Sequence, residues 1–236
     1  MSAPQAQAGR AGPAPARGVA LRARRWALLA AALAAGVAGG ALFAVLRAPA
    51  APTPPADASI ATAPAFTWAA GARLAPPLEL DDAHGRPLSL AALRGHPVIV
   101  AFIDPLCRNF CPREAQVLSS AVDEFGPRRP TIVSVSVNPW ADTAANFHED
   151  ALHWRLAPSW VWAVGPQSRL SSVWARYEIG VQVTTRTLAG VTVHEISHTE
   201  AAYLIDASGH ERALFVYPFS SSAVVAALRR LLPGAP

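Results

Sequence analysis

Cys107-Arg-Asn-Phe-Cys111 holds the only 2 cysteines of the 236-residue chain. The pair follows the continuous apolar run PVIVAFI at residues 97–103 and runs directly into Pro112. An uninterrupted apolar run of that length predicts a central strand covered on both faces, and proline belongs in the first turn of a helix. Both thiols therefore fall in a strand-to-helix loop. There the free amide groups and the helix dipole favour a thiolate, and Arg108 adds a positive neighbour. A purely structural disulfide gains little here, because a disulfide stabilises chiefly by closing a long loop and this one encloses three residues. Two chemistries remain for Cys107 and Cys111: a thiol–disulfide redox pair, or the two soft ligands of one metal ion. Thiolates select Cu(I), whereas structural zinc takes four protein ligands and only two cysteines exist.

The elements that would position this loop can be read from periodicity and turn residues. Residues 78–80 and 87–90 flank the polar turn Asp81-Asp-Ala-His-Gly85 and predict a β-hairpin. Residues 112–125 predict a helix whose stripe is Ala115, Leu118, Val122 and Phe125, stopped by Gly126-Pro127. Residues 131–137 predict a second central strand, residues 142–152 a helix capped by Asp142, residues 160–164 a strand and residues 167–177 a helix. Residues 201–206 and 212–216 read as paired strands around the turn Ala207-Ser-Gly209, and residues 220–232 as a closing helix. Strands alternating with helices, then a hairpin and a last helix, give a three-layer α/β domain of thioredoxin-like type with an added N-terminal β-hairpin. Residues 186–202 hold no proline. Ordinary thioredoxin reductases need a cis-proline there, so that class is disfavoured. Peroxidase-like relatives need Thr- or Ser-x-x-Cys, and the loop reads Asp104-Pro-Leu-Cys107 instead.

A third metal ligand must be His or Met, and the single Met is the initiator Met1. The 7 histidines are His84, His96, His148, His153, His194, His198 and His210. The first four and His210 fall in turns, connections or a helix surface, where exposure or ordinary packing is the simpler reading. His194 and His198 precede the strand at 201–206, on a segment that passes beside the cysteine loop in a thioredoxin-like fold.

Charge is divided unevenly. Six arginines and no acid lie within residues 1–47, while the rest of the chain sets 14 Arg against all 16 acids. The positive balance belongs to the amino-terminal tail, and the folded part lacks the basic surplus of a nucleic-acid binder. Residues 26–46 carry no charge and, as a helix, span roughly 30 Å, the thickness of a bilayer core. Arg22, Arg24 and Arg25 on their amino-terminal side predict a single-pass anchor in the cell membrane, with the amino terminus cytoplasmic and the C-terminal domain extracytoplasmic. A cleaved signal peptide ending at Ala48-Pro-Ala50 is the alternative, but the apolar run exceeds the usual signal core of about 7–15 residues. The expected organisation is a cytoplasmic disordered tail at 1–25, a transmembrane helix at 26–46, a Pro/Ala-rich linker at 47–70 and the α/β domain at 71–236.

Several stretches in order resemble one family. Gly85-Arg-Pro-Leu-Ser-Leu-Ala-Ala-Leu-Arg-Gly95, the strand PVIVAFI, and Cys-x-x-x-Cys-Pro are similar to the opening of Sco/SenC proteins. Val137-Asn-Pro-Trp-Ala-Asp142-Thr143 is similar to that family's Val-Asp-Pro-x-x-Asp-Thr. Residues 160–181, with Tyr177, resemble its next strand and helix, and His198-Thr-Glu-Ala-Ala-Tyr203-Leu-Ile-Asp206-Ala-Ser-Gly209 resembles its His-x4-Tyr-Leu-Ile/Val-Asp-x-x-Gly. The likeness covers about residues 74–232. It departs at Arg108, where the family usually has Pro, and at Asn138, where it usually has Asp. The resemblance implies a copper chaperone for cytochrome c oxidase assembly, with Cys107, Cys111 and His198 as ligands of Cu(I) or Cu(II). The implied recipient is the binuclear copper site of cytochrome c oxidase subunit II. The other open reading is an extracytoplasmic thiol–disulfide oxidoreductase using Cys107 and Cys111.

Overall fold

Residues Val98–Ile103 are buried along their whole length because alternate side chains feed two separate cores. Ile99, Ala101 and Ile103 point into one cluster, and Val98, Val100 and Phe102 into the other, as the two-residue period of a strand requires. The computed structural model describes residues 60–232, and the expected membrane helix at 26–46 lies outside them. No helix among the described residues is long and apolar enough to cross a membrane.

In chain order the elements are β1 (Phe66–Thr67), β2 (Glu79–Asp82), β3 (Pro87–Ser89), β4 (Val98–Ile103), α1 (Cys111–Asp123), β5 (Thr131–Ser136), α2 (Ala144–His153), β6 (Trp160–Val164), α3 (Gln167–Arg176), β7 (Val181–Leu188), β8 (Val191–His198), β9 (Ala201–Ile205), β10 (Glu211–Val216) and α4 (Ser221–Arg229). Eight strands form one sheet in the order β1-β10-β9-β4-β5-β6-β2-β3. Strands β4, β5 and β6 run parallel, β9 runs antiparallel to β4, and β2 runs antiparallel to β6. Buried residues of α1, α2 and α4 pack on one face with Ile99, Ala101 and Ile103, while Leu170, Val173 and Trp174 of α3 pack on the other. This is the expected three-layer α/β architecture, with β2–β3 as its N-terminal hairpin.

Three expectations change. Part of the stretch read as linker also pairs with the domain, since β1 pairs with β10 and Ala61 bridges to Phe219. Thr143, not Asp142, caps α2 by accepting from the Asn146 amide, since Asp142 is engaged as acceptor of the Ser136 hydroxyl at 2.6 Å. The segment before β9 is a separate two-stranded sheet, β7–β8, turned by Ala189 and Gly190. Both turn residues have positive φ, +49° and +82°, which suits a two-residue hairpin whose twist matches its strands.

Candidate metal centre

The cysteine loop is fixed from below. Asp104 follows β4, and its Oδ1 accepts from the Leu106 amide at 2.8 Å and from Asn138 Nδ2 at 2.9 Å. An aspartate at position 138 would set a second carboxylate against Asp104, whereas the amide of Asn138 donates to it. Arg108 Nη1 donates to the carbonyls of Pro105 and Cys107 and lies 3.8 Å from Asp150 of α2. The guanidinium thus ties the loop to its own backbone and to α2.

The two thiols differ. Cys111 opens α1 and is buried, Cys107 is partly exposed, and both are free. A hydrogen bond from Cys111 lowers the Cys107 pKa to about 6, with the amides of Asn109, Cys111 and Phe110 adding to it against the opposing cost of burial. These donors do what the sequence reading assigned partly to Arg108. Cys111 is pushed far upward, first by its hydrogen bond to Cys107, then by burial and by the charge of Glu200. Near neutral pH the pair therefore holds one thiolate on Cys107 and one proton on Cys111.

His198 approaches Cys111 from β8. It forms the first pair of the hairpin, opposite Val181, at the end where the hairpin joins the domain. Thr199 N donates to the Gly180 carbonyl and Gly180 N to the Thr199 hydroxyl, which holds that end closed. His198 Nδ1 lies 3.1 Å from the Thr199 carbonyl, an acceptor only, so the tautomer that suits this contact has its proton on Nδ1 and its lone pair on Nε2. Nε2 is 3.5 Å from Cys111 Sγ.

Glu200 was not anticipated as part of the site. Its Oε1 is 3.6 Å from Cys111 Sγ and 3.4 Å from His198 Nε2, and its Oε2 is buried without a hydrogen-bond partner. Both sulfurs and a Glu200 oxygen lie within 4.8 Å of one another. Glu114, one helical turn after Cys111, is wholly buried, and neither of its oxygens has another partner. Burial, then a hydrogen bond with Glu200 and repulsion from it, raises the Glu114 pKa well above the usual carboxyl range. As a neutral acid Glu114 has a proton to share with Glu200, which accounts for the unpartnered carboxyl oxygens of both residues. The only sequence signals for these acids were positional: Glu200 stands two residues after His198, and Glu114 three after Cys111 on one helix face.

His194 is placed elsewhere. Its ring stacks on Trp140 at a centroid distance of 4.0 Å, and its Nδ1 lies 3.2 Å from the Thr185 hydroxyl. An open groove of about 700 Å³ runs between the cysteine loop and β8, with Leu106 and Phe110 exposed on one wall and Val193 and Ile196 on the other.

Two sulfurs in the loop after the central parallel strand, faced by an imidazole just before β9, define a thioredoxin-like domain rebuilt around a thiol-and-histidine centre. The SCO1/SenC family profile matches residues 68–233, and the chain belongs to that family. Among solved structures it is similar to ScoI of Bradyrhizobium japonicum with copper bound, at 21% identity and TM-score 0.58 over 67% of this chain and 99% of that one. It is similar to yeast Sco1 with copper bound, at 18% identity and TM-score 0.60 over 69% and 92%. It is also similar to BsSco, described as having a disulfide switch and as a member of the Sco family of cytochrome c oxidase assembly proteins, at 18% identity and TM-score 0.52 over 66% and 92%. No curated protein matches the chain significantly in sequence.

Proposed function

We propose that the protein is a membrane-anchored copper-binding protein that delivers copper to the binuclear copper site of cytochrome c oxidase subunit II. The observation that carries this reading is the approach of His198 Nε2 to Cys111 Sγ at 3.5 Å, with the Cys107 sulfur in the same loop. Two sulfurs and one imidazole nitrogen form a donor set that fits copper. Cys107, Cys111 and His198 would hold the ion as cargo, and the partly exposed Cys107 leaves it open to an acceptor's ligands. Relatives with copper bound support the cargo, and one described as a cytochrome c oxidase assembly protein supports a role in oxidase assembly. Loading requires reduced thiols, so a Cys107–Cys111 disulfide blocks it.

Anaerobic copper titration of the reduced protein tests this. The expected result is one equivalent bound, with sulfur-to-copper charge-transfer absorption for Cu(II). Binding no tighter than about 1 µM removes the proposal. The extracytoplasmic location rests on the uncharged run at 26–46 and its flanking arginines. It is tested by labelling Cys107 in intact cells with a membrane-impermeant maleimide; labelling only after lysis overturns it.

A second reading is thiol–disulfide oxidoreduction. The asymmetry of the pair favours it: Cys107 is the partly exposed, low-pKa nucleophile and Cys111 the buried, protonated partner. Exchange with a substrate disulfide that persists in the His198→Ala variant would support it.

A further inference from the structure

Glu200 meets the criteria for a ligand better than for a structural carboxylate. Its Oε1 faces Cys111 Sγ at 3.6 Å and His198 Nε2 at 3.4 Å, so one oxygen points at both the sulfur and the imidazole. Its carboxylate and the two sulfurs are within 4.8 Å of each other, a mutual closeness that His198 does not share. We infer that Glu200 is a direct oxygen ligand of the copper held by Cys107, Cys111 and His198, and that it biases the site toward Cu(II). The inference rests on the copper-binding reading above.

The chemistry behind the bias is twofold. Cu(I) is satisfied by soft sulfur and imidazole, whereas Cu(II) takes a fourth donor readily and accepts oxygen. Charge acts in the same direction. Two thiolates and one carboxylate bring three negative charges, of which a divalent ion leaves one uncompensated and a monovalent ion two. On its inner side the site is little exposed, with the His198 side chain 4% exposed and the Glu200 side chain 15%, so solvent screens that difference only in part. Uncompensated buried charge is costly, so each added anionic ligand favours the higher oxidation state.

The test compares the full chain with its Glu200→Gln and Glu200→Asp variants, all fully reduced and anaerobic. Cu(I) affinity is read by competition with a chromophoric Cu(I) chelator. Cu(II) is read by affinity, paramagnetic resonance and charge-transfer absorption. Glu200→Gln is expected to weaken Cu(II) about tenfold or more and to change its resonance parameters, with Cu(I) affinity held within about threefold. Glu200→Asp, which keeps the charge but shortens the reach, should fall between the two. It also carries the test if the Gln variant does not fold. An unchanged Cu(II) affinity and spectrum in Glu200→Gln overturns the inference and leaves the copper reading standing. Equal weakening of both oxidation states overturns it too, in favour of a packing role. A wild-type protein that takes up copper in neither state overturns the copper reading and this inference together.

Discussion

The cysteine loop and the β7–β8 hairpin each bring part of one site, and they are held in opposite ways. The loop stands on the most buried strand of the sheet and runs into a helix whose first residue, Cys111, is itself core. Asp104, Asn138 and Asp150 hold it through polar contacts, of which the one between Asn138 and Asp104 is buried. The hairpin is a two-stranded sheet of its own, largely exposed on both strands. It is fixed at its open end by Gly180 and Thr199, and midway by the stack of His194 on Trp140. Isolated two-stranded sheets are marginal in water, so the hairpin depends on these attachments. The sulfurs are thus preorganised, whereas the imidazole sits on the part of the site with the lower local stability.

That difference ranks the expected losses. Replacing a sulfur removes a ligand from the rigid half, so Cys111→Ser should reduce copper affinity by about a hundredfold or more. His198→Ala removes the ligand on the adjustable half, where Glu200 remains close by, and should cost about tenfold. Disulfide exchange through Cys107 should survive His198→Ala nearly unchanged. If the two variants lose copper equally, the halves are not energetically distinct and the comparison fails.

The rigid half also makes a prediction about pH. With the Cys107 pKa lowered to about 6, its thiolate fraction rises about tenfold between pH 5 and pH 7. Alkylation of the apo protein by iodoacetamide should follow that curve and level off above pH 7. In Cys111→Ala the hydrogen bond to Cys107 is lost, and the midpoint should move upward. A midpoint near 8.5 in the wild type would show that the loop does not preorganise its thiolate.

Glu114 belongs to the same buried half, and its effect on stability follows from its raised pKa. A carboxyl whose folded pKa lies above its unfolded value stabilises fully only below that unfolded value, about 4.3. The stability is lost as pH rises through the folded pKa. The apo protein should therefore become less stable from mildly acidic to mildly alkaline pH, and Glu114→Gln should flatten that decline. Thermal unfolding across pH 5 to 8 measures it, and parallel curves for both proteins would contradict the burial argument.

The same contrast explains what the sequence made legible. Strand β4, α1 and the Cys-x-x-x-Cys loop were readable because a long apolar run, a first-turn proline and a helical stripe all specify one arrangement. The hairpin was not read, and its turn shows why. Ala189 occupies a positive-φ position where Asn, Asp or Gly is the usual signal, and the exposed strands lack an alternating apolar face. His198 was singled out by a motif, with no local pattern to show how it reaches the sulfurs. Glu200 and Glu114 were missed because buried acids look like ordinary polar residues until their neighbours are known. Arg108 was misread for the converse reason: a nearby charge in sequence suggested a thiol partner, while its guanidinium turns to carbonyls and Asp150.

The smallest expected effect is the sharpest test of how the hairpin is held. Trp140 lies in the connection after β5 and stacks on His194 at 4.0 Å with the rings 16° from parallel. Such a pair contributes about 0.5–1.5 kcal/mol beyond simple burial. Trp140→Ala should therefore speed amide exchange in β8 by a few-fold, with little change in β4 or α1. Copper affinity should change less than it does in His198→Ala, because His198 sits at the open end of the hairpin, where the Gly180–Thr199 hydrogen bonds persist without Trp140. If Trp140→Ala costs as much affinity as His198→Ala, the imidazole is positioned by the stack and not by those bonds. The adjustable half of the site would then extend from the hairpin into the loop after β5.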